Sequence, residues 1–206
     1  MADILQAATR EFAENGLSGA RVEAIAAAMA TKKYMIYYYF GSKEALYIAV
    51  LEDAYRQIRE LEAGLLLDEM PPLDALRRLV EFAFDYHHNH PEFVRLVMGE
   101  NMNNGKYLAQ SGVIHELNQS VIHALKDLYR RGVKQKIFRP GLDPVAIHMS
   151  ISALCFHHVS NRPTFSLIFQ PDQTPAAEVE TRRNDVVDLV LSYVLAKPQA
   201  ARTAKA

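Results

Sequence analysis

The sequence predicts an all-α fold, and three observations carry that prediction. Apolar residues recur at spacings of three and four along most of the chain, helix start and stop signals punctuate the pattern, and no stretch alternates as a half-buried strand does. With 206 residues, 50% of them hydrophobic, the chain has enough apolar surface for a real core. No internal repeat is present.

The first helix is expected over about residues 3 to 15, where Ile4, Leu5, Ala8 and Phe12 share a face and Asn15-Gly16 supplies a stop. Val22, Ile25, Ala26 and Met29 predict a second short helix over about 21 to 28. A third starts near Lys32, contains Ile36, Tyr37 and Phe40, and breaks at Gly41-Ser42. Ser42 is an N-cap with Glu44 in the next turn, opening a connector that runs through Leu46, Val50, Leu51, Ala54, Ile58 and Leu61.

Pro71-Pro72 opens a helix that ends at His90-Pro91, and a shorter one follows from Pro91 to about Glu100. The periodic segment from about Tyr107 to Arg131 predicts a long helix capped by Gly132. Asp143-Pro144 starts another in N-cap and N1 style, extending to about residue 160. A loop holding Pro163, Pro171 and Pro175 precedes a last helix over about 176 to 195, and the Ala/Lys/Arg/Pro tail frays. The expected division is a three-helix unit over 1–47, a helical domain over 48–196 and a disordered tail over 197–206.

Lys and Arg number 23 against 24 Asp and Glu, a formal net charge of −1, so any nucleic-acid contact must come from a local patch. The single cysteine, Cys155, sits among apolar residues as a core residue and allows no intramolecular disulfide. With no secretory layout near Met1-Ala-Asp-Ile and no apolar run approaching about 20 residues, the expectation is a cytoplasmic protein with no membrane span.

His87-His88-Asn89-His90 and His157-His158 are the only hints of a metal site, but adjacent helical histidines point apart. No HExxH, CxxC, GxSxG, Walker or dinucleotide motif accompanies them, so neither an enzyme, a metal nor a cofactor is expected.

Between Thr31 and Lys43 stand three Lys, four Tyr and no acid. Alternate Tyr residues on a short helix cannot all be buried, and their hydroxyls together with the ammonium groups suit phosphate oxygens. The unit therefore fits a helix-turn-helix whose second helix enters the major groove. A helical scaffold that never touches DNA, or a regulator with no ligand, are the alternatives. The acid-free patch argues against the first and the near-neutral total charge against a coating protein.

These first 50 positions resemble the DNA-binding region of the TetR family of bacterial repressors. The resemblance rests on Ile4-Leu5, Ala7-Ala8, Phe12, Asn15-Gly16, Val22, Ile25-Ala26, Lys33, Ile36-Tyr37-Tyr38-Tyr39-Phe40, Ser42-Lys43-Glu44 and Leu46. It implies phosphate contacts for Tyr37, Tyr39 and Lys43, and a phosphate or base contact for Lys33. Arg21 stands where the family often has a small hydroxyl residue, and it has the reach for a guanine edge. Tyr38 and Phe40, with Ile25 and Ile36, are expected to anchor the recognition helix.

The turn departs from the family pattern of Gly, small apolar residue and Ser, since Ala30-Thr31-Lys32 stands there. Thr31 is then expected to take over as the cap, beside Lys32 on the DNA side, with Tyr34 and Met35 facing the groove.

The resemblance further implies a homodimer through the last two long helices, a DNA operator as partner and a small-molecule effector held between Ala45 and Val159. Polar or aromatic residues on apolar faces are the pocket candidates: Phe84, Tyr86, His87, Arg95, Met98, Asn101, Met102, His115, Asn118, Phe156, His157 and Asn161. The stretch Phe156–Phe165 is similar to one in a TetR subgroup that includes regulators of aromatic-acid breakdown. An anionic aromatic effector gripped by Arg95 or Arg162 with His partners would match it.

Overall fold

The computed structural model describes residues 2–169 and 175–196, and ten α-helices are described there. The tail from 197, and Pro171 of the expected loop, lie outside the described residues. In α1 (Ala2–Gly19) the buried Ile4, Ala8 and Phe12 lie at i, i+4 and i+8, and Gly16 leaves helical geometry at φ 64°, ψ 172°. The first helix thus breaks at the expected Asn15-Gly16 stop, and a separate short helical turn follows it to Gly19.

Helices α2 (Val22–Ala28) and α3 (Lys33–Phe40) follow. Lys32, not Thr31, occupies the N-cap of α3, and no side chain closes it. Thr31 falls one residue early, and its own N–H is spent on Ala26 O at 3.0 Å, finishing α2. Gly41 ends α3 at φ 78°. Ser42 Oγ then accepts from Ala45 N–H at 3.0 Å and starts the connector α4 (Lys43–Ala63).

Helices α5 (Pro72–Asn89) and α6 (Pro91–Met102) each open with proline in the first turn, where a missing N–H costs nothing. The long seventh helix starts later than its periodicity predicts. The N–H groups of Tyr107 and Leu108 are captured by the buried Glu100 carboxylate at 3.1 and 2.9 Å, leaving a 3₁₀ turn over Leu108–Gln110. Ser111 Oγ then caps α7 (Gly112–Lys134), accepting from Ile114 N–H.

Gly132 is not the cap of that helix. It lies buried inside α7, where a Cβ would stand 2.0 Å from the Phe138 ring. Asp143 caps α8 (Pro144–Ser160). The expected loop beyond it contains a further helix, α9 (Arg162–Phe169), because Pro163 sits in a first turn that needs no donor. The last helix is α10 (Pro175–Val194). Among the described residues the only β pairing is an isolated bridge between Phe138 and Leu195.

Two large cores result. One gathers Leu76, Val80 and Phe84 of α5, Leu125 and Leu128 of α7, Ile147 and Ile151 of α8, and Val186, Val187 and Val190 of α10. The other gathers Ile4, Phe12, Ile25, Ile36, Leu46 and Tyr47 of the first four helices, and takes in Leu96 of α6 and Ile114 of α7. The expected division at 47/48 therefore falls inside α4, and the N-terminal unit shares its core with the helices behind it. No helix among the described residues is long and apolar enough to cross a membrane.

Candidate nucleic-acid interface and interior cavity

Ile36, 1% exposed, is the one fully buried side chain of α3 and fixes which way that helix faces. At 100° per residue, positions 34, 37 and 38 are carried away from it, and position 39 lies about 60° to one side. Tyr34 is 65% exposed, and Lys32, Lys33, Tyr37 and Tyr39 are exposed as well. Thr31 and Met35 are half-buried at the edge of the same face. Arg21 precedes α2 with an exposed side chain, its backbone N–H held by Glu11 Oε1 at 2.9 Å.

Tyr38 is no anchor. It is 79% exposed and packs edge-on against Tyr39 with centroids 5.4 Å apart, because two residues beyond Ile36 a helix has turned 200°. Phe40, half-buried, does pack on the core beside Ile25 and Ile36.

Two of the three lysines have partners. Lys33 Nζ pairs with Glu23 of α2 and lies 5.4 Å from the Tyr37 ring centroid. Glu23 is therefore an acid on the patch that the span from Thr31 to Lys43 does not reveal, and the pairing lowers its pKa. Lys43 Nζ donates to Ala20 O at 2.8 Å and Ser18 O at 3.4 Å, pinning the start of α4 to the kinked end of α1.

Most of the expected ligand residues do not come together, although Tyr86, His87 and Phe156 do. Arg95, Asn101, His115, His157 and Asn161 are exposed, Met98 is 38% exposed, and Met102 is 86% exposed at the end of α6. These lie at helix ends or on outer stripes, which the apolar pattern alone does not distinguish from inner ones. Asn118, half-buried, donates back to Ile114 O at 2.7 Å. Phe84, Tyr86 and His87 are buried on α5, and the half-buried Phe156 meets His87 edge-on at 6.0 Å. His87 Nδ1 is within hydrogen-bond distance of Ala83 O. Burial first, and the Arg59 charge with it, holds His87 below the usual histidine range and brings His148 down to about 4.

None of the twelve candidates lines the half-open cavity of about 370 Å³ between α4, α5 and α7. Leu79, Val121, Leu125 and Leu128 form its apolar wall, with Ser120, Asp68, Asp127 and Arg131 around them. At its α4 side Arg59 Nη1 donates to Glu62 Oε2 at 2.6 Å, with side chains only 10% and 12% exposed. Arg59 Nε is buried and has no hydrogen-bond partner among the described residues. Burial raises the Glu62 pKa against the opposing pull of Arg59. Arg131 spends its guanidinium on the carbonyls of Leu67, Asp68 and Met70 at 2.6, 3.0 and 2.8 Å, strapping the α4–α5 connection to α7.

Sequence reasoning misses Arg59 and Glu62, since an Arg and Glu three apart look like a solvated pair on an outer helix face. A second, shallower depression of about 410 Å³ brings Arg162 together with His88, Pro91 and Val159.

A short helix exposing lysines and tyrosine hydroxyls, set by a tight turn against a partner helix, defines a helix-turn-helix DNA-binding regulator. The comparisons with known proteins agree. The family described as "Bacterial regulatory proteins, tetR family" matches residues 4–50, and "Tetracyclin repressor-like, C-terminal domain" matches residues 72–190. The chain is 37% identical over 170 residues to the HTH-type transcriptional repressor NicS of Pseudomonas putida, covering 82% of this chain and 80% of that one. It is 34% identical over 133 residues to the HTH-type transcriptional repressor SCO4008 of Streptomyces coelicolor, covering 64% and 66%. In fold it matches the transcriptional regulator FadR of Bacillus subtilis, solved with stearoyl-CoA, at a TM-score of 0.72 and 20% identity over 93% of this chain and 97% of that one. The chain belongs to the TetR family of transcriptional regulators.

Proposed function

We propose that the chain is a repressor that binds a palindromic operator as a homodimer and releases it when a small molecule enters the cavity between α4, α5 and α7. The observation that carries the DNA contact is the exposed face of α3, with Lys32, Tyr34, Tyr37 and Tyr39 turned out over the buried Ile36 and Arg21 beside them. Phosphate contacts fall to Tyr37, Tyr39, Lys32, Lys33 and Lys43, and base contacts to Tyr34, Met35 and Arg21.

A single small reading head makes few contacts, so two copies on two half-sites are needed for tight binding. Helices α8 and α10 supply a surface for pairing. Val145 and Met149 on α8, and Leu189 and Tyr193 on α10, are exposed at four-residue spacing.

Two features support the effector reading. Helix α4 carries Lys43 against the reading head and Arg59 and Glu62 in the cavity wall, sixteen residues or about 24 Å apart along one rod. The FadR structure of the same fold holds stearoyl-CoA, so this architecture accommodates a ligand. A ligand that fits a splayed arrangement better than the DNA-bound one tilts α4 and separates the reading heads, with leverage set by its differential affinity.

Selection of binding sites from random duplexes at a stated salt concentration tests the operator reading, and a palindromic consensus is the expected result. Lys32→Ala should lower the slope of log affinity against log salt by about one and weaken selected and random DNA alike. An enriched site without two-fold symmetry, or an unchanged slope, would remove the paired reading heads or Lys32 from the account.

A further inference from the structure

The buried Arg59–Glu62 corner of the half-open cavity constrains what can occupy it. Arg59 and Glu62 already neutralise one another at 2.6 Å. The other charged groups around the cavity are Arg131, Asp68 and Asp127, so the walls hold two cations and three acids. Arg131 has turned its guanidinium onto three backbone carbonyls and offers little to an incoming anion. Burial and the Arg59 charge lower the pKa of His87 and bring His148 down to about 4, which disfavours a further cation on either. A carboxylate entering here would meet no uncommitted cation and would sit close to the Glu62 carboxylate, at a cost that grows as water is excluded.

What the corner does offer is a hydrogen-bond donor. Arg59 Nε–H is buried and unpartnered, on a side chain nine-tenths buried. Buried donors are almost always partnered in folded proteins, and an orphan on a cavity wall is met by whatever fills the cavity. We propose that the effector is an uncharged molecule with an apolar body against Leu79, Val121, Leu125 and Leu128, presenting a carbonyl oxygen or ring nitrogen to Arg59 Nε–H. The proposal rests on the reading of this cavity as the effector site. It departs from the expectation of an anion gripped by Arg95 or Arg162, since Arg95 is exposed on α6 and Arg162 lies at the separate depression beside His88.

Three probes of nearly one shape and three charges test it: benzamide, benzoate and benzamidinium, titrated calorimetrically into the full chain. Benzamide should bind at least about tenfold tighter than either ion. Arg59→Lys keeps the positive charge for Glu62 and removes the Nε–H, and should cost benzamide about tenfold or more. If that variant fails to fold, a crystal structure of the unaltered protein with benzamide supplies the test, with the amide oxygen expected within hydrogen-bond distance of Arg59 Nε.

Benzoate binding tighter than benzamide would overturn the proposal and direct attention to Arg162 and His88. Binding by none of the three, or benzamide affinity indifferent to Arg59→Lys, would overturn it too. Operator selection by the same preparation keeps the outcomes apart. Selection that succeeds while the probes fail leaves the regulator standing without this effector class, and selection that fails removes the operator reading itself.

Discussion

At the residue scale, Ala30 holds a left-handed backbone at φ 49° in the turn before α3, where members of the family resembled have glycine. The strain of an L-residue there is about 1–2 kcal/mol, partly offset because glycine has more freedom to lose on folding. Ala30→Gly should therefore raise stability by about 0.5–1 kcal/mol in urea denaturation. An unchanged midpoint would mean that the turn does not adopt this geometry in solution. Lys33 and Lys43 teach a related lesson. Both were legible as cations on a DNA-facing patch, but their partners Glu23, Ala20 and Ser18 lie ten or more residues away in the chain. Residue type and local spacing carry no information about such contacts.

At the scale of elements, start and stop signals worked where the chemistry is local. Ser42, Asp143 and the prolines of α5 and α6 act on their own helix, so their positions could be read directly. Gly132 and Tyr107 failed because groups outside their own helix decide their roles. Phe138 packs where the Gly132 Cβ would be, and Glu100 removes the first N–H groups from the expected seventh helix. Alanine is the better helix former by about 1 kcal/mol, yet Gly132→Ala should lose about 2–3 kcal/mol by overpacking against a fully buried ring, lowering the thermal midpoint. A higher midpoint would place the Phe138 ring elsewhere.

At the scale of the whole molecule, burial of histidines makes stability depend on pH. Burial is the leading cause that brings His148 and His158 down to about 4 and lowers His87, whereas in the unfolded chain each titrates near 6.5. Below 6.5 the unfolded state binds the extra protons, so stability present at neutral pH is lost as pH falls toward 4. Glu62, raised by burial, works in the opposite sense. Urea midpoints should be lower at pH 5 than at pH 7.5, and equal midpoints would mean that these imidazoles are hydrated. The shared core is a second property of this scale. Leu96 and Ile114 join the packing of α1 to α4, so displacing α6 or α7 disturbs the reading head directly.

The sequence by itself determined the helical class, every helix but α9, the helix-turn-helix and most of the face it presents, because periodicity, caps and turn residues act over a few positions. The tertiary structure alone decided the cavity and its polar corner. Arg59, Glu62 and Arg131 look like solvated surface charges until α4, α5 and α7 close around them, whereas Arg95 and Met102, promising on an apolar face, end outside. Burial depends on which helices pack together, and side chains far apart in the chain fix that packing.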